Sequence, residues 1–212
     1  MTTEVDDLQP LLDRLARGDT RALGELFARY QAPLRRMIAL RLDHRLNGRV
    51  SASDILQETY IDAQKRTRHY FEKPEMPFFV WLRLVAGQRL VEVHRQHLGA
   101  QMRDAGQEVS LDRGGMMAAS SDCLARQLAG KFSSPSHAAQ RDEMLALVEN
   151  VLDGLDPIDR EVLALRHFEE LTNNEVAAIL GIDKAAASKR YVRALVRLKD
   201  ALANLPEFSD DD

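Results

Sequence analysis

Six basic residues, Lys184, Lys189, Arg190, Arg193, Arg197 and Lys199, fall within residues 182–204, against only Asp183 and Asp200. At helical periodicity, Ala187, Tyr191, Ala194, Leu195 and Leu198 make an inward stripe, which leaves Lys184, Ala185, Ser188, Lys189 and Arg193 outward. Cations arranged in this way do not make or break bonds. They hold phosphates and read guanine edges, while Ser meets either group and small Ala lets a helix sit deep in a major groove. With Arg190 included, these residues form the candidate DNA-binding set. Residues 155–181 have the opposite sign: Asp156, Asp159, Glu161, Glu169, Glu170 and Glu175 stand against only Arg160 and Arg166. The net charge of −4 therefore hides a basic terminal helix. The plain alternative is a solvated basic face, or a helical pair that binds protein.

The elements that must position this face are legible upstream of it. Asp156-Pro157 places a capping carboxylate before a Pro at the first helical position. Thr172-Asn173-Asn174-Glu175 is a capping box that opens a short helix over residues 175–180, and Gly181 suits the left-handed turn that stops it. Asp183 can cap the final helix. Ala177 and Ala187 are small where the two helix axes must approach. Helix, Gly-centred turn and helix together predict a helix-turn-helix.

Earlier in the chain, Leu8, Leu11, Leu12 and Leu15, then Ala22, Leu23, Leu26, Phe27, Tyr30 and Leu34, predict two amphipathic helices joined at Gly18-Asp19. Further helices are predicted over about residues 53–67, capped by Ser51 or Ser53, and over about 77–97. On the third helix Asp54, Gln57, Glu58 and Ile61 share a face, while Ile55 and Leu56 can turn inward. Residues 103–136 lose the periodicity among Gly and Ser and read as a flexible linker with room for one short helix. A new apolar stripe, Met144, Leu145, Val148 and Leu152, opens a second bundle, and residues 206–212 form an acidic tail. The fold class is all-α: two small helical domains on a flexible linker, the C-terminal one a helix-turn-helix.

Taken together these stretches resemble ECF (extracytoplasmic function) sigma factors of bacterial RNA polymerase. The resemblance rests on 155–163 (LDPIDREVL), 174–182 (NEVAAILGI) and 188–195 (SKRYVRAL), on Gly18-Asp19 with Ala22, Leu23, Leu26, Phe27 and Tyr30, on 54–60 (DILQETY), and on Phe79-Val80-Trp81-Leu82. Residues 91–104 resemble planctomycete-type members in tone.

The resemblance implies a sigma factor that binds core RNA polymerase and directs promoter-specific transcription initiation. Residues 8–102 would be sigma domain two, 103–136 the linker and 137–205 sigma domain four. Asp54, Gln57 and Glu58 would dock on the clamp helices of the largest polymerase subunit. The loop over about residues 69–77 and the following helix, through Tyr70, Phe71, Lys73, Arg83 and Arg89, would recognise and melt the minus-ten element. Lys184, Ala185, Ser188, Lys189, Arg190 and Arg193 would meet the minus-35 element. Many relatives are held by an anti-sigma protein, and this chain does not decide whether one exists. Ala185-Ala186-Ala187 stands where relatives often carry Gly-Thr-Val, which leaves the upstream specificity open.

Other chemistry has little support. His94 and His97 are three apart on one predicted helix, but no ligand set completes a metal site around them. No nucleophile-base-acid order, phosphate loop or zinc-hydrolase motif is present, so the chain is not expected to be an enzyme or to need a cofactor. One Cys, an acidic start and the lack of a long apolar run suit a soluble, cytoplasmic protein. The rival reading is a stand-alone helix-turn-helix regulator. The 54–60 helix beside Trp81, which a simple repressor does not need, argues against it.

Overall fold

The computed structural model describes residues 8–98, 111–112, 116–132 and 138–203. The described regular structure is helical apart from a two-residue ladder, Leu111–Asp112 with Met116–Met117. The chain forms two compact units, one of residues 1–39 and 46–116, the other of residues 40–45 and 117–212. The acidic tail and residues 99–110, 113–115 and 133–137 of the sequence reading lie outside the described residues.

The first unit is built from α1 (Gln9–Ala16), α2 (Thr20–Arg41) as far as residue 39, α3 (Ala52–Glu72) and α4 (Phe78–Leu98). Gly18, at φ +91°, makes the turn between α1 and α2. Asp19 Oδ1 accepts from the Arg21 N–H at 3.0 Å and so satisfies one of the open donors at the start of α2. Leu23, Leu26, Leu34 and Ile38 from α2 join Ile55, Leu82 and Leu90 in the buried core. Phe27 meets Tyr60 edge-on at 5.1 Å, and Tyr30 stacks on Phe79 at 4.9 Å, so aromatic pairs lock α2 to both α3 and α4.

Ser51 caps α3 in a reciprocal box: its hydroxyl accepts from the Asp54 N–H (3.2 Å), and Asp54 Oδ2 accepts from the Ser51 N–H (3.0 Å). The helix runs to Glu72, five residues past the expected end. Residues 69–72, read from the sequence as loop, are therefore its last turn. The reason is packing, because Tyr70 in that turn lies against Phe78 and Trp81 of α4.

The second unit contains α5 (Ser121–Phe132), α6 (Ala138–Asp153), α7 (Pro157–Leu163), α8 (Asn173–Leu180) and α9 (Lys184–Ala203). Helix α5 falls inside the expected connector, yet Leu124 and Ala125 are buried in one cluster with Val148, Leu152, Leu155, Leu163 and Ala194. Surrounding Gly and Ser hide this short apolar stripe from a reading of composition. Asp156 caps α7 by accepting from the Ile158 N–H at 2.9 Å, and the helix widens into a π turn over Ala164–Phe168. No described helix is long and apolar enough to cross a membrane.

Candidate nucleic-acid interface

The local chemistry that aims α9 starts at Thr172. Its hydroxyl accepts from the Glu175 N–H (3.3 Å), and the Glu175 carboxylate accepts from the Thr172 N–H (2.7 Å), so α8 begins on a closed capping box. Gly181 ends it at φ +63°, ψ +34°, and the Ile182 N–H donates to the Ala177 carbonyl at 3.1 Å. Asp183 Oδ1 then accepts from the Ala186 N–H at 2.7 Å and opens α9. The fully buried Ala187 faces back into the unit, where a larger side chain would push the helices apart.

This turn leaves Lys184, Ala185 and Lys189 exposed and Ser188 half-buried on the N-terminal half of α9. Ala187 and Ala194 are buried, and Tyr191 and Leu198 are half-buried under the same helix. Arg166 lies 5.2 Å from the Tyr191 ring centroid, a cation–π contact that pins the inner side of α9. Leu195, expected on the inward stripe, is instead exposed with Val192 and Val196. The buried seam follows the small residues seven apart, so Leu195 rotates past its edge.

The structure adds a residue that sequence reasoning counted only as part of an acidic surplus. Asp159 on α7 is wholly buried and receives three arginines of α9. Arg193 grips it bidentately, Nε to Oδ2 at 2.9 Å and Nη2 to Oδ1 at 2.7 Å. Arg190 Nη1 donates at 3.2 Å, and Arg197 Nη1 lies 3.5 Å away. Burial alone would raise the Asp159 pKa, but the arginine hydrogen bonds and charges outweigh it and hold the carboxyl below its usual range. The guanidinium side chains stay partly open, at 30% exposure for Arg190, 48% for Arg193 and 53% for Arg197. The spacing of these arginines, three and then four apart on one stripe, was the available signal that an anion faces them.

In the first unit Asp54, Gln57, Glu58 and Ile61 share an exposed face of α3, with Ile55 and Leu56 buried beneath. Asp54 is tied into the Ser51 cap, and those hydrogen bonds hold its carboxyl below the ordinary range. Glu58 pairs with Arg89 Nε at 3.2 Å, and Arg89 also reaches Asp62 (3.2 Å) and Glu92 (2.9 Å). Arg89 is therefore a bracket among carboxylates rather than an open cation of a basic strip.

The residues expected at the downstream element do not converge on one surface. Arg83 is 1% exposed, so the structure removes it from the expected DNA-facing side: the apolar run Phe78–Leu82 turns its stretch of α4 into the core. Tyr70 is also buried. Its hydroxyl donates to the Met76 carbonyl (3.0 Å), and its ring packs on Phe71, Phe78 and Trp81. Phe71 is half-buried, and Lys73 is exposed in an ion pair with Glu75. His94 is buried while His97 is exposed, so these two do not meet at a common point.

Comparison with known proteins gives this architecture a family. The chain is 27% identical over 206 residues to the RNA polymerase sigma-H factor of Pseudomonas aeruginosa, covering 97% of this chain and 98% of that one. It is 23% identical over 201 residues to the ECF RNA polymerase sigma-E factor of Escherichia coli K12, covering 92% and 93%. Among solved structures, CnrH in complex with the cytosolic domain of CnrY shares the fold, with a TM-score of 0.50 and 22% identity over 92% of this chain and 97% of that one. The ECF sigma factor family model matches residues 5–204, a span that includes every described residue of both units, and the chain accordingly belongs to the ECF sigma factor family, whose members direct transcription initiation by core RNA polymerase.

Proposed function

We propose that the two units divide the work of promoter recognition, the second reading the upstream element and the first docking on polymerase. The observation that carries this is the N-terminal half of α9, where Lys184, Ala185 and Lys189 stand exposed on a helix fixed by a capping box, a left-handed Gly181 and the buried Ala187. A helix so held can enter a major groove and use Lys and Ser toward bases and phosphates. Arg190 and Arg193 flank that surface while bound to Asp159.

In the first unit the exposed face of Asp54, Gln57 and Glu58 supports docking on the clamp helices of the largest polymerase subunit. Phe71, Lys73 and Arg89 are the expected downstream-element residues that keep some exposure; because Arg89 is held by three carboxylates, we assign contact with the opened strand to Phe71 and Lys73 rather than to Tyr70 or Arg83. The buried Tyr70 acts by supporting the end of α3 against α4. The reading needs no catalytic group, because strand opening draws on binding energy, and it places the protein in the cytoplasm with polymerase. The tone of residues 91–104, of which 99–104 lie outside the described residues, favours a planctomycete-type member.

Pull-down against purified core polymerase followed by run-off transcription tests the division. Gln57→Ala should weaken polymerase capture and leave duplex binding by the full chain intact. Lys184→Ala should do the reverse. A chain that binds duplex DNA yet neither captures polymerase nor supports run-off would be a stand-alone regulator.

A further inference from the structure

A carboxylate with no solvent exposure stands beneath the flank of α9, shared by three half-open guanidiniums. We infer that Asp159 is a positioning residue for promoter discrimination: it presets Arg193, with Arg190 and Arg197 beside it, so that the second unit offers DNA a fixed guanidinium edge rather than three mobile cations. The inference rests on α9 being the groove helix and extends it to a residue of α7.

The geometry supports positioning over simple bracing. Arg193 uses Nε and Nη2 in the bidentate grip, which leaves Nη1 outside that pairing and sets the plane of the group. Arginine side chains lose considerable rotamer freedom when they bind, and fixing them beforehand lowers that cost for the one DNA geometry they fit. The same carboxylate lowers the local charge. Three guanidiniums and one carboxylate leave about two positive charges where three would otherwise face any phosphate, and attraction to phosphates is the part of DNA binding that ignores sequence. Asp159 therefore favours the cognate site twice, by order and by restraint, and specificity is the difference between the two affinities.

The test uses the full chain assembled with core polymerase, titrated across several salt concentrations against a promoter duplex obtained by selection with the holoenzyme and against a scrambled duplex. Asp159→Asn keeps the side-chain shape and removes the charge. Scrambled-duplex affinity should rise about threefold to tenfold with a salt dependence steeper by about one unit, and the promoter-to-scrambled ratio should fall about tenfold. Parallel loss on both duplexes, or an unchanged ratio, would overturn the positioning role and leave Asp159 as a brace.

Should Asp159→Asn fail to fold by circular dichroism, Arg193→Lys serves in its place. It keeps the charge and loses the fork, so the ratio should fall with the salt dependence unmoved, and an unchanged ratio again defeats the proposal. Lys189→Ala, run alongside, separates the two levels. If it leaves both affinities alone, α9 is not the groove helix; if it weakens both while the Asp159→Asn ratio holds, only the role of Asp159 is lost.

Discussion

The side chains expected to meet DNA have different fates in the two units. On α9 of the second unit, Lys184, Ala185 and Lys189 are exposed, and Arg190 and Arg193 remain partly open above a buried carboxylate. In the first unit Tyr70 and Arg83 are packed inside, and Arg89 is spread over three carboxylates. Both sets place basic side chains on helices. The difference lies in the helices: α9 buries one narrow seam of small residues, whereas α4 buries most of its circumference, from Phe78 to Leu82 and on through Leu90 to Leu98. A basic residue on a helix with a narrow seam is left at the surface by default. On a helix buried most of the way round, the same residue becomes part of the core.

The contrast is broken most severely at Arg83. If it is a core residue, Arg83→Ala removes a large buried side chain and should destabilise the first unit by about 3 kcal/mol. Urea unfolding followed by the fluorescence of Trp81, the single Trp and a resident of the same helix, reads this directly. A wild-type midpoint with lost promoter melting would instead return Arg83 to the DNA-facing side.

A middle-sized effect sharpens the other half of the comparison. Thr172→Ala opens the capping box of α8 and should cost about 1 kcal/mol, seen as a lower melting temperature by calorimetry. Because that box helps aim α9, promoter binding by the holoenzyme should weaken with it, and normal binding at reduced stability would show that α9 does not depend on α8 for its direction.

The smallest effect is on stability but not on binding. Lys189→Ala is an exposed change that should leave the unfolding midpoint within about 0.5 kcal/mol of wild type. It should flatten the slope of log affinity against log salt by about one unit, the signature of one lost phosphate contact. A slope that stays put would remove Lys189 from the interface.

Much of the fold was legible because its signals are local. Ser51, Asp156, Thr172 with Glu175, Gly181 and Asp183 each act on backbone groups within four residues, so their spacing already contains the geometry. The all-helical class followed from the same periodicity. The short stripe of Leu124 and Ala125 was hard to see, since a helix amid Gly and Ser is stabilised by what it packs on rather than by propensity. The extension of α3 to Glu72 had the same cause, contacts of Tyr70 with a helix that follows a Pro-containing turn.

The sequence by itself determined the helices, their caps, the glycine-centred turn and the sign of charge on α9, because each depends on neighbours in the chain. Only the tertiary structure decided which polar side chains are spent on the fold: Arg83 in the core, Arg89 among three acids, and Asp159 beneath the arginines of a helix 31 to 38 residues further along. Pairing across that separation depends on how two helices cross, and a crossing is set by the packing of the whole unit rather than by any spacing along the chain.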